Sequence, residues 1–181
     1  MENKVYLRAL ELEDYQTTIT WRNDDEIWEM VGGPKYFVSY EYEKNWISKA
    51  ISNTNDLRLG VCLKENDLLI GLVTLYQIDW INRSGRISAM IGDKNYWRSG
   101  YATDSMKLLL DFCFNERGME RLWTIILESN IPSQKVAAKC GASLEGVLRN
   151  AIYKNGKYHN QVIMSILRDE YINLKKRPYS E

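Results

Sequence analysis

The stretch Ile91-Gly92-Asp93-Lys94-Asn95-Tyr96-Trp97-Arg98-Ser99-Gly100-Tyr101-Ala102-Thr103 joins a short apolar strand, residues 86–92, to the longest helical pattern in the chain. After it, Met106, Leu109, Leu110, Cys113 and Phe114 recur at helical spacing and form one apolar stripe. Gly118 suits a left-handed stop, so the pattern predicts a helix over residues 100–117. The first amides of such a helix have no intrahelical acceptor. With the partial positive charge of the helix start, they make a cradle for an anion such as a pyrophosphate. Gly100 lets a ligand approach the backbone without meeting a Cβ. Neither a G-x-x-x-x-G-K-[ST] loop nor a G-x-G-x-x-G fingerprint is present. For a single glycine, a tight strand-to-helix turn without a ligand is the plainer alternative.

Upstream, Val5–Ala9 reads as a strand and residues 14–23 as a helix. Residues 24–37 read as irregular and contain Gly32-Gly33-Pro34. Ser39 suits an N-cap for a helix over Tyr40–Ser52, with Tyr42, Trp46, Ile47 and Ala50 on one side. Leu57–Leu63 and residues 68–78 flank the turn Lys64-Glu65-Asn66-Asp67, and residues 79–85 carry further turn signals. Downstream, residues 122–127 form a short apolar run, read as a buried strand. Pro132 suits the first turn of a helix that stops at Cys140-Gly141. Residues 144–153 and 158–167 flank Asn155-Gly156, a hairpin signal because a type I′ turn needs positive φ at both central residues. Arg168–Lys176 reads as a terminal helix. The order predicts a mixed α/β sheet rather than a doubly wound fold, in one domain over residues 1–181.

Composition narrows the classes. Lys+Arg and Asp+Glu both number 24, so net charge is zero, which argues against a nucleic-acid partner. The one basic run, Lys175-Lys176-Arg177, reads as a solvated terminus. No apolar run approaches the roughly 18 residues of a membrane span, and MENKVYLRAL lacks a signal peptide's apolar stretch. The expectation is a cytoplasmic protein with no membrane association. Cys62, Cys113 and Cys140 have no C-x-x-C spacing and read as reduced, buried thiols. His159 is the sole histidine, and no ligand spacing suggests a metal.

Trp97-Arg98-Ser99-Gly100-Tyr101-Ala102 resembles the acetyl-CoA loop of the GNAT N-acetyltransferase superfamily, written Q/R-x-x-G-x-G/A, with Trp at the first place. Asn130-Ile131-Pro132-Ser133 followed by Lys139-Cys140-Gly141-Ala142 resembles the family's N-x-x-S…K-x-G-F segment, with Ala142 in place of the aromatic. Leu144-Glu145-Gly146 and Asn155-Gly156-Lys157-Tyr158 are similar to its closing strands, and Leu7-Arg8-Ala9-Leu10 and Trp21-Arg22-Asn23-Asp24 to its opening. The resemblance covers nearly the whole chain. It is strongest to the branch of the ribosomal-protein N-terminal and spermidine acetyltransferases. It implies a mostly antiparallel sheet of about seven strands, splayed in the middle and flanked by about four helices.

The resemblance also implies the reaction: acetyl transfer from acetyl-CoA to the amine of a polyamine, an amino sugar or a protein N-terminus, by direct attack in a ternary complex. An alkylamine titrates near ~10.4, so it must shed a proton before attack. The carbonyl oxygen then gains charge and wants a positioned donor. By resemblance, the cofactor residues are Ile91, Gly92, Trp97, Arg98, Ser99, Gly100, Tyr101, Ala102, Thr103, Asn130 and Lys139. An amide within residues 89–92 would hold the oxyanion. The family's tyrosine acid is replaced by Ala137, which leaves Ser133 as the candidate acid, against a role in bonding helix amides. Glu29, Asp79 and Trp80 are candidate acceptor-site residues, with Glu128 and Trp28 beside them; each also reads as a turn, solvated or core residue. A homodimer is common in the branch. A non-catalytic protein that binds acetyl-CoA or an amine as a regulator is the alternative.

Overall fold

The computed structural model describes residues 3–176. The elements are β1 (Val5–Ala9), α1 (Tyr15–Arg22), α2 (Asp25–Met30), α3 (Tyr40–Ser52), β2 (Leu57–Leu63), β3 (Leu69–Asp79), β4 (Ser84–Ile91), α4 (Tyr101–Asp111), β5 (Arg121–Leu127), α5 (Ile131–Lys139), β6 (Ser143–Lys154), β7 (Lys157–Leu167) and α6 (Arg168–Lys176). Short 3-10 turns occupy Leu12–Asp14 and Lys94–Tyr96. Arg177 of the basic run lies outside the described residues.

The strands form one seven-stranded sheet in the order β1-β2-β3-β4-β5-β7-β6. Every neighbouring pair is antiparallel except β4 with β5. That parallel pair is short: only Ser84, Gly85 and Arg86 face Arg121, Leu122 and Trp123. Beyond it, β4 stays on β3 as far as Ile91, while β5 stays on β7 as far as Leu127. The sheet is therefore two halves joined at one end and split at the other.

The apolar stripe of α4 explains the core. Met106, Leu109, Leu110, Cys113 and Phe114 pack with Val61, Val73, Leu75, Ile87 and Leu122 from one face of the sheet. Tyr171 of α6 stacks on Phe114 at 4.9 Å, and its hydroxyl donates to Asp111. The opposite face carries a smaller cluster of Trp21, Ile27, Cys62 and Leu69, with Leu72, Met90 and Trp97 packed against it. The Asn-Gly hairpin forms with positive φ at both Asn155 and Gly156, as a type I′ turn requires.

Four expectations need correction. Residues 24–37 are not wholly irregular, because Asp24 accepts from the amides of Glu26 and Ile27 and so caps the six-residue α2. The buried face of α3 runs through Glu43 and Ile47, leaving Tyr42 60% exposed. The long helix leaves α-geometry at Phe112–Glu116, a π-turn in which the successive Cys113 and Phe114 are both fully buried. Six α-helices, rather than about four, flank the sheet among the described residues.

Candidate active site

The split sets the geometry. Gly92 N–H donates to Ile70 O at 2.8 Å, so Ile91 and Ala89, out of phase with it, turn their backbone groups toward the split. The Ile91 carbonyl is taken by the indole N–H of Trp97 at 2.7 Å. The Ile91 and Ala89 amides face the split, where no strand of the described residues pairs with them. Gly92 itself is packed shut: a Cβ there would lie 1.9 Å from Cδ2 of Trp21. Its amide is not available to an oxyanion, which leaves those of Ile91 and Ala89.

From this edge the chain turns into α4. Trp97 anchors the turn, half-buried between the two clusters. Arg98 and Gly100 then take φ of +60° and +91°, and Gly100 is the helix N-cap. The amides of Arg98, Ser99, Gly100, Tyr101 and Ala102 have no backbone acceptor among the described residues. The amide of Thr103 does not join them, because it donates to Gly100 O at 2.9 Å. Ser99 turns its hydroxyl back to Trp97 O. Around Gly100 nothing lies within 4 Å of where a Cβ would sit, so the turn is open on that side. A curl of unpaired amides at the start of an eleven-residue helix suits a pyrophosphate.

On the other half-sheet, Asn130 caps α5. Its Oδ1 accepts from Ser133 N at 3.0 Å, and its Nδ2 donates to Met30 O at 2.7 Å. The cap role belongs to Asn130, and the half-buried Ser133 has no side-chain hydrogen bond among the described residues. Ala137 is buried beside Ile126, Val162 and Met164 and offers no hydroxyl. The far end of α5 returns to α4: Cys140 Sγ lies 3.8 Å from Thr103 O. Lys139, the residue before Cys140, ends α5 and is exposed.

The sequence did not signal how α2 is held. At its start, Lys94 pairs with Asp24 at 2.8 Å and with Glu26 at 3.1 Å. At its end, Lys154 donates to the carbonyls of Trp28 and Val31, and its ammonium sits 3.9 Å from the Trp28 ring centroid. Glu29 accepts from Asn155 Nδ2 at 2.8 Å. The segment thus runs from the loop after β4 to the hairpin of β6 and β7, across the split. Glu128, just past β5, accepts from Asn160 Nδ2. His159 bonds the Lys154 carbonyl through Nε2.

Asp79 and Trp80 are not brought to this mouth. Asp79 pairs with Ser84, at the joined end of the split, about 20 Å along β4 from Ile91. Its carboxylate accepts from the amides of Ile81 and Asn82 and from the Asn82 side chain, which hold it below the usual carboxylate range. It is a turn residue, and Trp80 projects from the same hairpin. Among the described residues, no group of three His, Cys, Asp or Glu could hold a metal ion. No helix there is long and apolar enough to cross a membrane.

Known proteins agree with this geometry. An uncharacterised N-acetyltransferase, YnaD, of Bacillus subtilis is 24% identical over 168 residues, covering 93% of this chain and 96% of its own. A spermidine N(1)-acetyltransferase of Escherichia coli is 28% identical over 182 residues, covering 97% and 92%. The spermidine N-acetyltransferase of Vibrio cholerae, solved with CoA and spermine, superposes with a TM-score of 0.87 at 26% identity, covering 95% of this chain and 100% of that one. Residues 4–143 match the acetyltransferase (GNAT) domain. With its split sheet, its curl of amides before α4 and that match over most of its length, the chain belongs to the GNAT acetyltransferase family.

Proposed function

We propose that this acetyl-CoA-dependent N-acetyltransferase acetylates a primary amine of a small molecule, a polyamine or amino sugar, or a protein N-terminus, inside the split between β4 and β5. The observation that carries the reading is the edge of β4, whose outward amides at Ala89 and Ile91 run into the five unpaired amides at residues 98–102. A pantetheine arm laid along that edge meets backbone donors as an added strand would. Its pyrophosphate then falls at the start of α4, with Lys139 as a candidate partner. The thioester carbonyl lies against the Ile91 or Ala89 amide, a donor that strengthens as the oxygen gains charge.

The amine enters from the side crossed by α2, with Glu29 and Glu128 as candidate carboxylates to meet it. It attacks as the neutral base, its nitrogen bonds to the carbonyl carbon, and the carbon–sulfur bond breaks. Ser133 gives its proton to the departing thiolate and takes up the proton that the attacking nitrogen sheds, directly or through a water, so that amide, thiol and neutral serine result. Its uncommitted hydroxyl supports that role. Three buried thiols without a disulfide support a cytoplasmic setting for one acetyltransferase domain.

The test is CoA release from acetyl-CoA across polyamines, amino sugars, amino acids and N-terminal peptides, with product mass measured. An acetylated amine supports the reading and identifies the acceptor class. Binding of acetyl-CoA without any acetylated product across the panel would overturn it in favour of a non-catalytic binder.

A further inference from the structure

We propose that Lys154 is a positioning residue for the amine acceptor: it latches the segment Trp28–Val31 across the split and so fixes one wall of the acceptor site. The proposal rests on the function proposed above. Lys154 is 4% exposed, yet no carboxylate among the described residues lies within ion-pair distance of it. Its ammonium is met by the Trp28 and Val31 carbonyls and the face of the Trp28 ring. A buried ammonium is costly unless its protons are taken, and a helix end offers carbonyls that the helix itself leaves with spare acceptor capacity. Met30 O, between them, goes to Asn130. Three carbonyls at the end of α2, those of Trp28, Met30 and Val31, are therefore held by Lys154 and Asn130, which belong to the half-sheet across the split.

What this latch holds is not core. Met30 and Val31 are 40% and 38% exposed, and the segment after them lacks regular structure up to Ser39. Holding it fixes the indole of Trp28, whose N–H is buried with no acceptor among the described residues. A buried donor left unpaired is expensive, and a bound substrate oxygen or nitrogen would satisfy it. At its other end α2 rests on Lys94, close to the acetyl-CoA loop, so loosening the Lys154 end moves the acceptor wall and leaves the cofactor loop in place.

The experiment compares Lys154→Met and Lys154→Arg with the parent chain in steady-state kinetics and in hydrogen exchange of residues 25–33. In Lys154→Met, KM for the amine should rise about tenfold or more, with KM for acetyl-CoA within about twofold and exchange at residues 28–33 faster. Lys154→Arg, which keeps charge and donors, should recover part of the amine KM. Should the Met variant not fold, Asn155→Gly removes the exposed tie to Glu29 at a positive-φ position that glycine accepts, and should raise the amine KM two- to threefold. Loss of thermal stability with both KM values unchanged, or an equal rise in both, would overturn the proposal. So would unchanged exchange in Lys154→Met, a readout that stands even if no amine proves to be a substrate.

Discussion

Asn130 and Met30, a hundred positions apart, are joined by a 2.7 Å hydrogen bond from the Asn130 side-chain amide to the Met30 carbonyl. The same side chain caps α5 through Ser133 N. One residue thus ties the acceptor-side segment to the helix that carries the candidate acid. A hydroxyl placed by such a cap is held by backbone geometry, not by its own hydrogen bonds. Ser133→Ala should therefore leave α5 intact. Its kcat should fall at least tenfold, since general acids contribute roughly 10²–10⁴-fold. Acetyl-CoA affinity should stay within about twofold by calorimetry. Equal losses in kcat and affinity, or none, would remove Ser133 from the acid role.

Gly100 has φ of +91° and borders the open side of the amide curl. In Gly100→Val a β-branched side chain must adopt that backbone, at a cost of about 1–3 kcal/mol, or flatten the curl. Acetyl-CoA should bind at least tenfold more weakly by calorimetry. Unchanged affinity would move the pyrophosphate elsewhere.

Arg121 grips Glu145 with both guanidinium nitrogens at 2.6 Å, and Ser165 donates to the same carboxylate. Those bonds hold Glu145 down to about 2. The folded value lies below the ordinary 4.5, so the stabilisation is complete above pH 4.5 and is lost as pH falls toward 2. Glu145→Gln should lower stability at pH 7 by about 1 kcal/mol, kept small because the pair is solvent-screened. The gap from the parent chain should close between pH 4.5 and 2 in denaturant titrations. A gap that persists at pH 2 would mean that packing around Glu145, not charge, holds the pair.

Burial pushes the Cys113 thiol up to about 12 and that of Cys140 to about 11, and it raises Cys62 as well. The thiolate is the reactive form, so a thiol dye should label almost none of the three cysteines in the native protein and all three in denaturant. Rapid labelling without denaturant would reveal local opening of the α4 core.

Much of this architecture was legible in the sequence because its signals are local. The stripe from Met106 to Phe114, the Ser39 cap and Asn155-Gly156 each act within a few residues. The order of elements, apart from α2, followed from them. The family motif led to the curl at residues 98–102, though not to the turn that consumes the Thr103 amide. What stayed hidden depends on partners far along the chain. A six-residue α2 is too short to show a period, and only Asp24 marked it. Asp79 looked like a cleft carboxylate, and its own hairpin takes it up. Nothing near Lys154 indicates that its ammonium is buried, because the carbonyls it meets lie more than a hundred residues earlier.

The three-residue junction between β4 and β5 has a consequence for cooperativity. Each half-sheet keeps its own antiparallel ladder, β4 on β3 and β5 on β7, so the seam between them can open without unzipping either. Native-state exchange should then resolve two foldons, one containing β1–β4 and one containing β5, β7 and β6. The shared apolar stripe of α4 would be the last thing to let them part.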